Sequence, residues 1–213
     1  MKGVKFGNHH SWDDFKLILS QKTIGTPSPK VNQIEIEGGD GVLDLTEFFG
    51  GVKYNNRPLS FEFSTIVPQS EFMELFTRVQ NALHGQKMQI VLDDDAEYYY
   101  IGRITVSEWK ADKNIGKLTI DCDCEPYKMK FAETIVTRAV DNATTQITLN
   151  NSRKPVVPTI TTDAELKIAF TGFSGTYSAG TFRIPELVLH EGKTVIRVTG
   201  TGNITLSYQE GVL

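Results

Sequence analysis

The residues of this 213-residue chain whose types could do chemistry lie in a few short segments. Cys122 and Cys124 stand two apart in Leu118-Thr-Ile-Asp-Cys-Asp-Cys-Glu125, where a thiolate pair could hold zinc or cycle through a disulfide. No further cysteine exists to complete a zinc set, and strand alternation puts Leu118, Ile120, Cys122 and Cys124 on one face. They read as small buried hydrophobes. The run Asp93-Asp94-Asp95-Ala96-Glu97 offers the oxygens that calcium prefers. It lacks the glycine and the distal glutamate of a calcium loop, so it reads as a solvated hairpin tip. Asp121, Asp123 and Glu125 form a second acidic row opposite the cysteines, facing water or another subunit. His9 and His10 are adjacent, so on a strand they point to opposite faces and do not easily grip one ion. His84 is placed to cap a helix C-terminus, and His190 precedes a turn.

Catalytic signatures are missing from the sequence. There is no HExxH, Walker loop, GxSxG or CxxC, and the Gly39-Asp-Gly41 and Gly200-Thr-Gly202 segments fail at the last glycine of a dinucleotide fingerprint. The expectation is a protein without catalytic residues, bound metal or cofactor. Phe173 and Tyr177 lie in a Gly-rich loop expected over 171–180 and are the candidate ligand-loop residues, because exposed aromatics stack on sugars. A carbohydrate-binding module is therefore the alternative function.

The elements that must position these residues are mostly strands. Phe15, Leu17 and Leu19 alternate, as do Leu59, Phe61 and Phe63, and Met88, Ile90 and Leu92; this is the period of half-buried antiparallel strands. One helix is expected after Pro68, with Ser70 as N-cap, an apolar stripe of Phe72, Leu75, Phe76, Val79 and Leu83, and Gly85 at C′. Composition shifts near Phe131. Residues 1–130 carry 15 basic and 19 acidic side chains, whereas residues 131–213 carry seven of each and 15 of the 22 threonines. That places a domain boundary there, with domains 1–130 and 131–213. The second half has eight short strand-like runs, centred on Ile135, Ile147, Ile160, Ile168, Phe182, Leu189, Ile196 and Leu206, which predict an antiparallel sandwich.

The stretch from Gln21 to Pro58 fits neither half. Ile34 and Ile36 alternate before a Gly38-Gly39-Asp40-Gly41 turn, and Leu43 and Leu45 alternate after it, a hairpin arm that is difficult to bury in a domain this size. The arm is expected to pack on another subunit through Ile34, Ile36, Leu43, Leu45, Phe48 and Phe49, the alternative being that it folds back on its own domain.

Charge and hydropathy exclude two partner classes. A net charge of −4 with no long basic run argues against specific nucleic-acid binding, which needs a cationic face. The longest apolar run is four residues, Tyr98 to Ile101, too short for a membrane span or a signal-peptide core. The expectation is a chain made in a cytoplasm with no signal peptide and no membrane partner.

Taken in order, several segments resemble the distal tail protein (Dit) family of long non-contractile-tailed phages and prophages. They are Met1-Lys-Gly-Val-Lys-Phe-Gly7, Gly41-Val-Leu-Asp-Leu-Thr-Glu47, Gly51-Val-Lys-Tyr-Asn-Asn-Arg-Pro-Leu-Ser-Phe-Glu-Phe63, the single helix, Cys122-Asp-Cys-Glu-Pro-Tyr-Lys128 and Asn203-Ile-Thr-Leu-Ser-Tyr-Gln-Glu-Gly211. The resemblance implies a mainly β fold: an N-terminal β-sandwich or split-barrel-like domain with one α-helix and a hairpin arm, then a C-terminal galectin-like antiparallel β-sandwich. It implies a structural role in the virion, at the tail tip or baseplate. There the N-terminal domains build a hexameric ring, single or back-to-back double, whose arms wrap neighbouring subunits. One face of the ring would meet the tail tube protein and the other the tail-associated tip protein, with receptor-binding proteins at the periphery.

Overall fold

The computed structural model describes residues 2–48, 50–112 and 115–213. It divides into two units, Met1–Lys128 and Met129–Leu213, each with its own buried cluster.

Alternation builds the first unit. Its strands are β1 (Val4–Phe6), β2 (His9–His10), β3 (Leu17–Ile24), β4 (Gln33–Glu35), β5 (Val42–Asp44), β6 (Arg57–Thr65), β7 (Lys87–Leu92), β8 (Tyr98–Asp112) and β9 (Ile115–Cys124), with helix α1 (Phe72–Leu83) between β6 and β7. The main sheet runs β2-β1-β7-β8-β9-β6-β3, antiparallel at every step. Its edges curl towards each other: the Leu17 N–H donates to the Ser11 carbonyl at 2.9 Å, and the Ser11 N–H donates to that of Val4 at 2.9 Å. Register shifts between Leu19 and Gln21 and between Val106 and Glu108 supply the local bending that such a half-barrel requires. Inside it lie Phe6, Leu59, Phe61, Phe63, Ile104, Leu118, Ile120, Cys122 and Cys124, closed over by Leu75, Val79 and Leu83 of α1.

Three local expectations change. The helix begins with Glu71 at the N-cap and no side-chain capping bond, because Gln69–Glu71 forms a 3-10 turn in which the Glu71 N–H donates to the Pro68 carbonyl at 2.8 Å. Backbone thus does the work expected of the Ser70 hydroxyl. Phe15 is buried from the turn before β3, not from the strand. His84 is the helix C-cap, as expected, but through its backbone, whose N–H donates to the Gln80 carbonyl at 2.9 Å; its ring turns away, and Nδ1 accepts the Val106 N–H at 3.1 Å, at the bulge in β8. Gly85 does take the expected left-handed conformation, φ +76°.

The second unit is an antiparallel sandwich built on one shared strand. The short strands β10 (Lys128–Lys130) and β18 (Gly211–Val212) pair with each other outside the sandwich, whose elements are β11 (Thr134–Asp141), β12 (Thr145–Asn151), β13 (Thr159–Thr162), β14 (Leu166–Phe170), β15 (Phe173–Tyr177), β16 (Gly180–Arg183) and β17 (Gly192–Tyr208). The first half of β17 pairs with β12 and β14, with β15 beyond; its second half pairs with β11 and β13, with β16 beyond. The runs around Ile196 and Leu206 are therefore one strand of 17 residues, not two. It passes between sheets at Gly200 and Gly202, whose φ values of +138° and +154° suit glycine alone. The run around Leu189 is a single bridge to Val156.

The fold class expected from the sequence is the one found: mainly β, with a curled sheet, one α-helix and a hairpin arm before an antiparallel sandwich. No helix among the described residues is long and apolar enough to cross a membrane.

Candidate subunit interface

The arm leaves the half-barrel where β3 ends and returns where β6 begins. At its root the Gly25 N–H donates to the Pro58 carbonyl at 2.8 Å. A Cβ on Gly25 would lie 2.7 Å from Pro58 Cγ, so this approach needs glycine. The two legs stay side by side: Asn55 N–H donates to the Ser28 carbonyl at 2.8 Å, Lys30 N–H to that of Lys53 at 2.7 Å, and Pro29 bridges Tyr54. Tyr54 packs edge-on against Tyr127, ring centroids 5.9 Å apart, which fixes the root to the first unit.

Further out, β4 and β5 form a two-stranded hairpin with Gln33 opposite Asp44, Ile34 opposite Leu43 and Glu35 opposite Val42. Gly38 and Gly41, both at φ +76°, make the turn. Below the hairpin, the Thr46 N–H donates to Asp44 Oδ1 at 2.9 Å, and bonds from Thr46, side chain first, hold the Asp44 carboxyl below its ordinary range. Because side chains alternate, Ile34, Ile36, Leu43 and Leu45 share one face, while Gln33, Glu35 and Asp44 take the other with Val42. The hairpin is amphipathic, and its apolar face is open: Ile34 is 48%, Ile36 57% and Leu43 47% exposed, with Leu45 half-buried. Among the described residues, no side chain between Leu19 and Leu59 joins the unit's buried cluster or packs against it. Phe48 is exposed just beyond β5; Phe49 lies outside the described residues. Two strands alone are marginal in water, and covering four such half-exposed side chains would be worth roughly 4 kcal/mol.

The other sequence candidates are taken up by the protein itself. Cys122 and Cys124 are buried side by side on the inner face of β9, and burial first of all pushes both thiols up, Cys124 to about 12. Neither is a thiolate at neutral pH. The acidic loop is neutralised from three directions. Asp93 Oδ2 accepts the Gly3 N–H at 2.6 Å and faces His10 Nε2 at 3.2 Å, Lys22 pairs with Asp94, and Lys128 Nζ lies 2.6 Å from Asp95 Oδ2. The bond from Lys22 is the main cause that lowers the Asp94 pKa. Along β9, Asp121 accepts from Ser60 at 2.6 Å, Asp123 from Asn56 at 2.8 Å and Glu125 from Lys87 at 2.8 Å. His9 packs on the Phe15 ring, and His10 lies between Asp13 and Asp93. Among the described residues no group of three or more His, Cys, Asp or Glu is placed to hold a metal ion.

Phe173 and Tyr177 stand at the ends of a strand, not in the loop expected over 171–180. Both rings pack against the second unit's core, Phe173 stacked on Phe170 at 4.8 Å and Tyr177 on Phe182 at 4.6 Å. Gly175 disguised this strand: it sits where a Cβ would meet the Tyr177 ring at 2.9 Å.

No protein-family model and no curated protein matches the chain. Among solved structures it is similar to the Dit protein (gp 19.1) of phage SPP1, with a TM-score of 0.72 and 16% identity over 100% of both chains. That protein is described as a paradigm of the hub adsorption apparatus in phages that infect Gram-positive bacteria. The chain has the fold of a distal tail protein. At 16% identity the likeness is one of architecture, so which of these residues touch a partner must be argued from their own geometry.

Proposed function

We propose that the chain is a structural hub subunit of a phage tail tip, and that its arm closes a ring of subunits. One observation carries this: an amphipathic hairpin whose apolar face of Ile34, Ile36, Leu43 and Leu45 is left about half open and, among the described residues, lies outside its unit's buried cluster. A head-to-tail ring gives each subunit an arm to offer and a surface to receive one, so the exposed face disappears on closure. The distal-tail fold supports six copies, alone or as two rings back to back. In this reading residues 1–130 form the ring and residues 131–213 form a galectin-like sandwich. The tail tube protein sits on one face of the ring, the tail-associated tip protein on the other, and receptor-binding proteins at the rim. The protein works in the virion, without cofactor or catalysis. In support, its thiols are buried and protonated and its carboxylate rows are bonded to its own side chains. Sugar stacking on Phe173 and Tyr177 is disfavoured because a neighbouring ring already covers one face of each.

Light scattering on a sizing column tests the assembly. The expected mass is six times 23.8 kDa, or twice that for a double ring. Leu43→Asp with Leu45→Asp should run as a folded monomer, and normal assembly of that variant would refute the arm's role.

A further inference from the structure

The cations of the second unit are not distributed evenly over its two sheets. Arg138, Arg153, Lys154 and Arg183 are each engaged within the unit, by the Thr137 carbonyl, Glu191, the Met129 sulfur and the Thr159 hydroxyl respectively. The side chains of Lys167, Lys193 and Arg197 are exposed and make no hydrogen bond or ion pair among the described residues. All three point outward from the β12-β17-β14-β15 sheet, since their neighbours Leu166, Ile168, Ile196 and Val198 are the buried ones. Lys167 faces Thr199 while Arg197 faces Ala169, so these two are diagonal neighbours about 7–8 Å apart at the backbone. Lys193 lies four residues along the same strand from Arg197, about 13 Å away.

No strand of this sheet contains a carboxylate. Glu165 and Glu191 stand at its rim, the latter paired with Arg153. Between the cations the outward residues are Gln146 and Thr148 of β12, Thr199 of β17 and Thr176 of β15, which are neutral hydrogen-bonding groups, together with one apolar side chain, Val195, opposite Thr148 and 47% exposed. Among the described residues this face carries no outward aromatic ring.

We infer that this face binds a linear polyol-phosphate chain. Its phosphates would meet Lys167, Lys193 and Arg197, and its hydroxyls would meet the threonine and amide groups between them. A neutral sugar would want an aromatic platform, and a single-stranded nucleic acid would want rings for its bases to stack on. A polyol phosphate has charge and hydroxyls but no ring to stack, which is the chemistry this face can complement. The inference concerns a different surface from the arm and stands whether or not the ring forms.

The test uses the full chain and immobilised poly(glycerol phosphate), with dextran and a single-stranded DNA oligonucleotide as comparison ligands. About three phosphate contacts on a flexible polyanion give a log K against log salt slope near −2, so affinity should fall roughly 15- to 20-fold between 50 and 200 mM NaCl. Lys167→Glu with Arg197→Glu should weaken binding more than tenfold and flatten that slope, with melting temperature and solution mass unchanged. Arg138→Glu with Arg183→Glu, the same change of charge on the other sheet, should leave binding intact. The inference is overturned if the native chain does not bind at 50 mM salt, if both reversals weaken binding equally, or if the DNA binds as tightly as the phosphate polymer. Because solution mass is read on the same samples, loss of binding with assembly intact separates this result from any failure of the hub reading.

Discussion

Strand β6 and the arm hairpin are written in the same alphabet and end in opposite environments. In β6, Leu59, Phe61 and Phe63 alternate with Ser60, Glu62 and Ser64, and the three apolar side chains are 1%, 0% and 1% exposed. In the arm, Ile34 and Ile36 alternate with Glu35, and Leu43 and Leu45 with Asp44, yet the apolar side is left about half open. Period-two alternation specifies a two-faced strand in both places. It does not specify what covers the apolar face. For β6 the cover is α1 and the curl of its own sheet; the arm's apolar side chains, among the described residues, lie outside the unit's buried cluster.

The comparison breaks most violently on the covered side. Phe61 lies edge-on to Phe6 at 5.8 Å and beside Phe63 at 6.4 Å, fully buried. Phe61→Ala removes a ring from the centre of the half-barrel and should cost the first unit about 4 kcal/mol, read as a lower denaturant midpoint by circular dichroism. A cost below about 1 kcal/mol would mean that the half-barrel collapses around the gap and that its cover is looser than the burial implies.

The second unit covers both of its sheets by threading one strand through them, and that device rests on backbone. A Cβ on Gly202 would fall 2.6 Å from Asp163 Oδ1 and 2.7 Å from Ala164 Cβ, at φ +154°. Gly202→Ala should destabilise this unit by about 2 kcal/mol while leaving the first unit's transition in place. Coincident shifts of both transitions would show that the units unfold together.

This strand also marks where the sequence stops being legible. The alternations of Leu59, Phe61 and Phe63 and of Leu118, Ile120, Cys122 and Cys124, the helix stripe and the arm's hairpin could be read because each is a local period. In the sequence, Gly200 and Gly202 separate the runs around Ile196 and Leu206 as a turn would, since glycine's left-handed freedom serves a turn and a bend equally well. Gly175 hid β15 for a related reason, its missing side chain making room for Tyr177. The 3-10 turn that displaced the Ser70 cap, and the bond between His84 and Val106, depend on contacts that no local period records. The arm's exposed face was legible as residues, whereas its openness is visible only in three dimensions.

A smaller effect sits at the end of the sandwich. Burial raises the Glu210 pKa, but hydroxyl bonds from Ser152 and from Thr134, the latter at 2.6 Å, outweigh it and leave the carboxyl below its ordinary 4.5. A depressed folded pKa gives stability that is present above the unfolded value and lost as pH falls through the folded one. Native stability should therefore drop below about pH 4.5, and Glu210→Gln should be about 1 kcal/mol less stable at pH 7 with a flatter acid limb. An unchanged acid limb in that variant would assign the pH dependence to other carboxylates.

The smallest effect on the folded monomer decides the most. Leu43→Asp with Leu45→Asp alters the same kind of alternating position as Phe61 but on an uncovered face, so the first unit's unfolding midpoint should move by less than about 0.5 kcal/mol. The same pair of substitutions should abolish the ring, because two carboxylates would then have to be desolvated wherever the apolar face is received. A large loss of monomer stability would mean that the arm is covered by its own subunit, and the contrast with β6 would vanish. Unchanged stability with unchanged assembly would leave the exposed face without a purpose in the ring and would direct the search to the tail tube or tip protein as its cover.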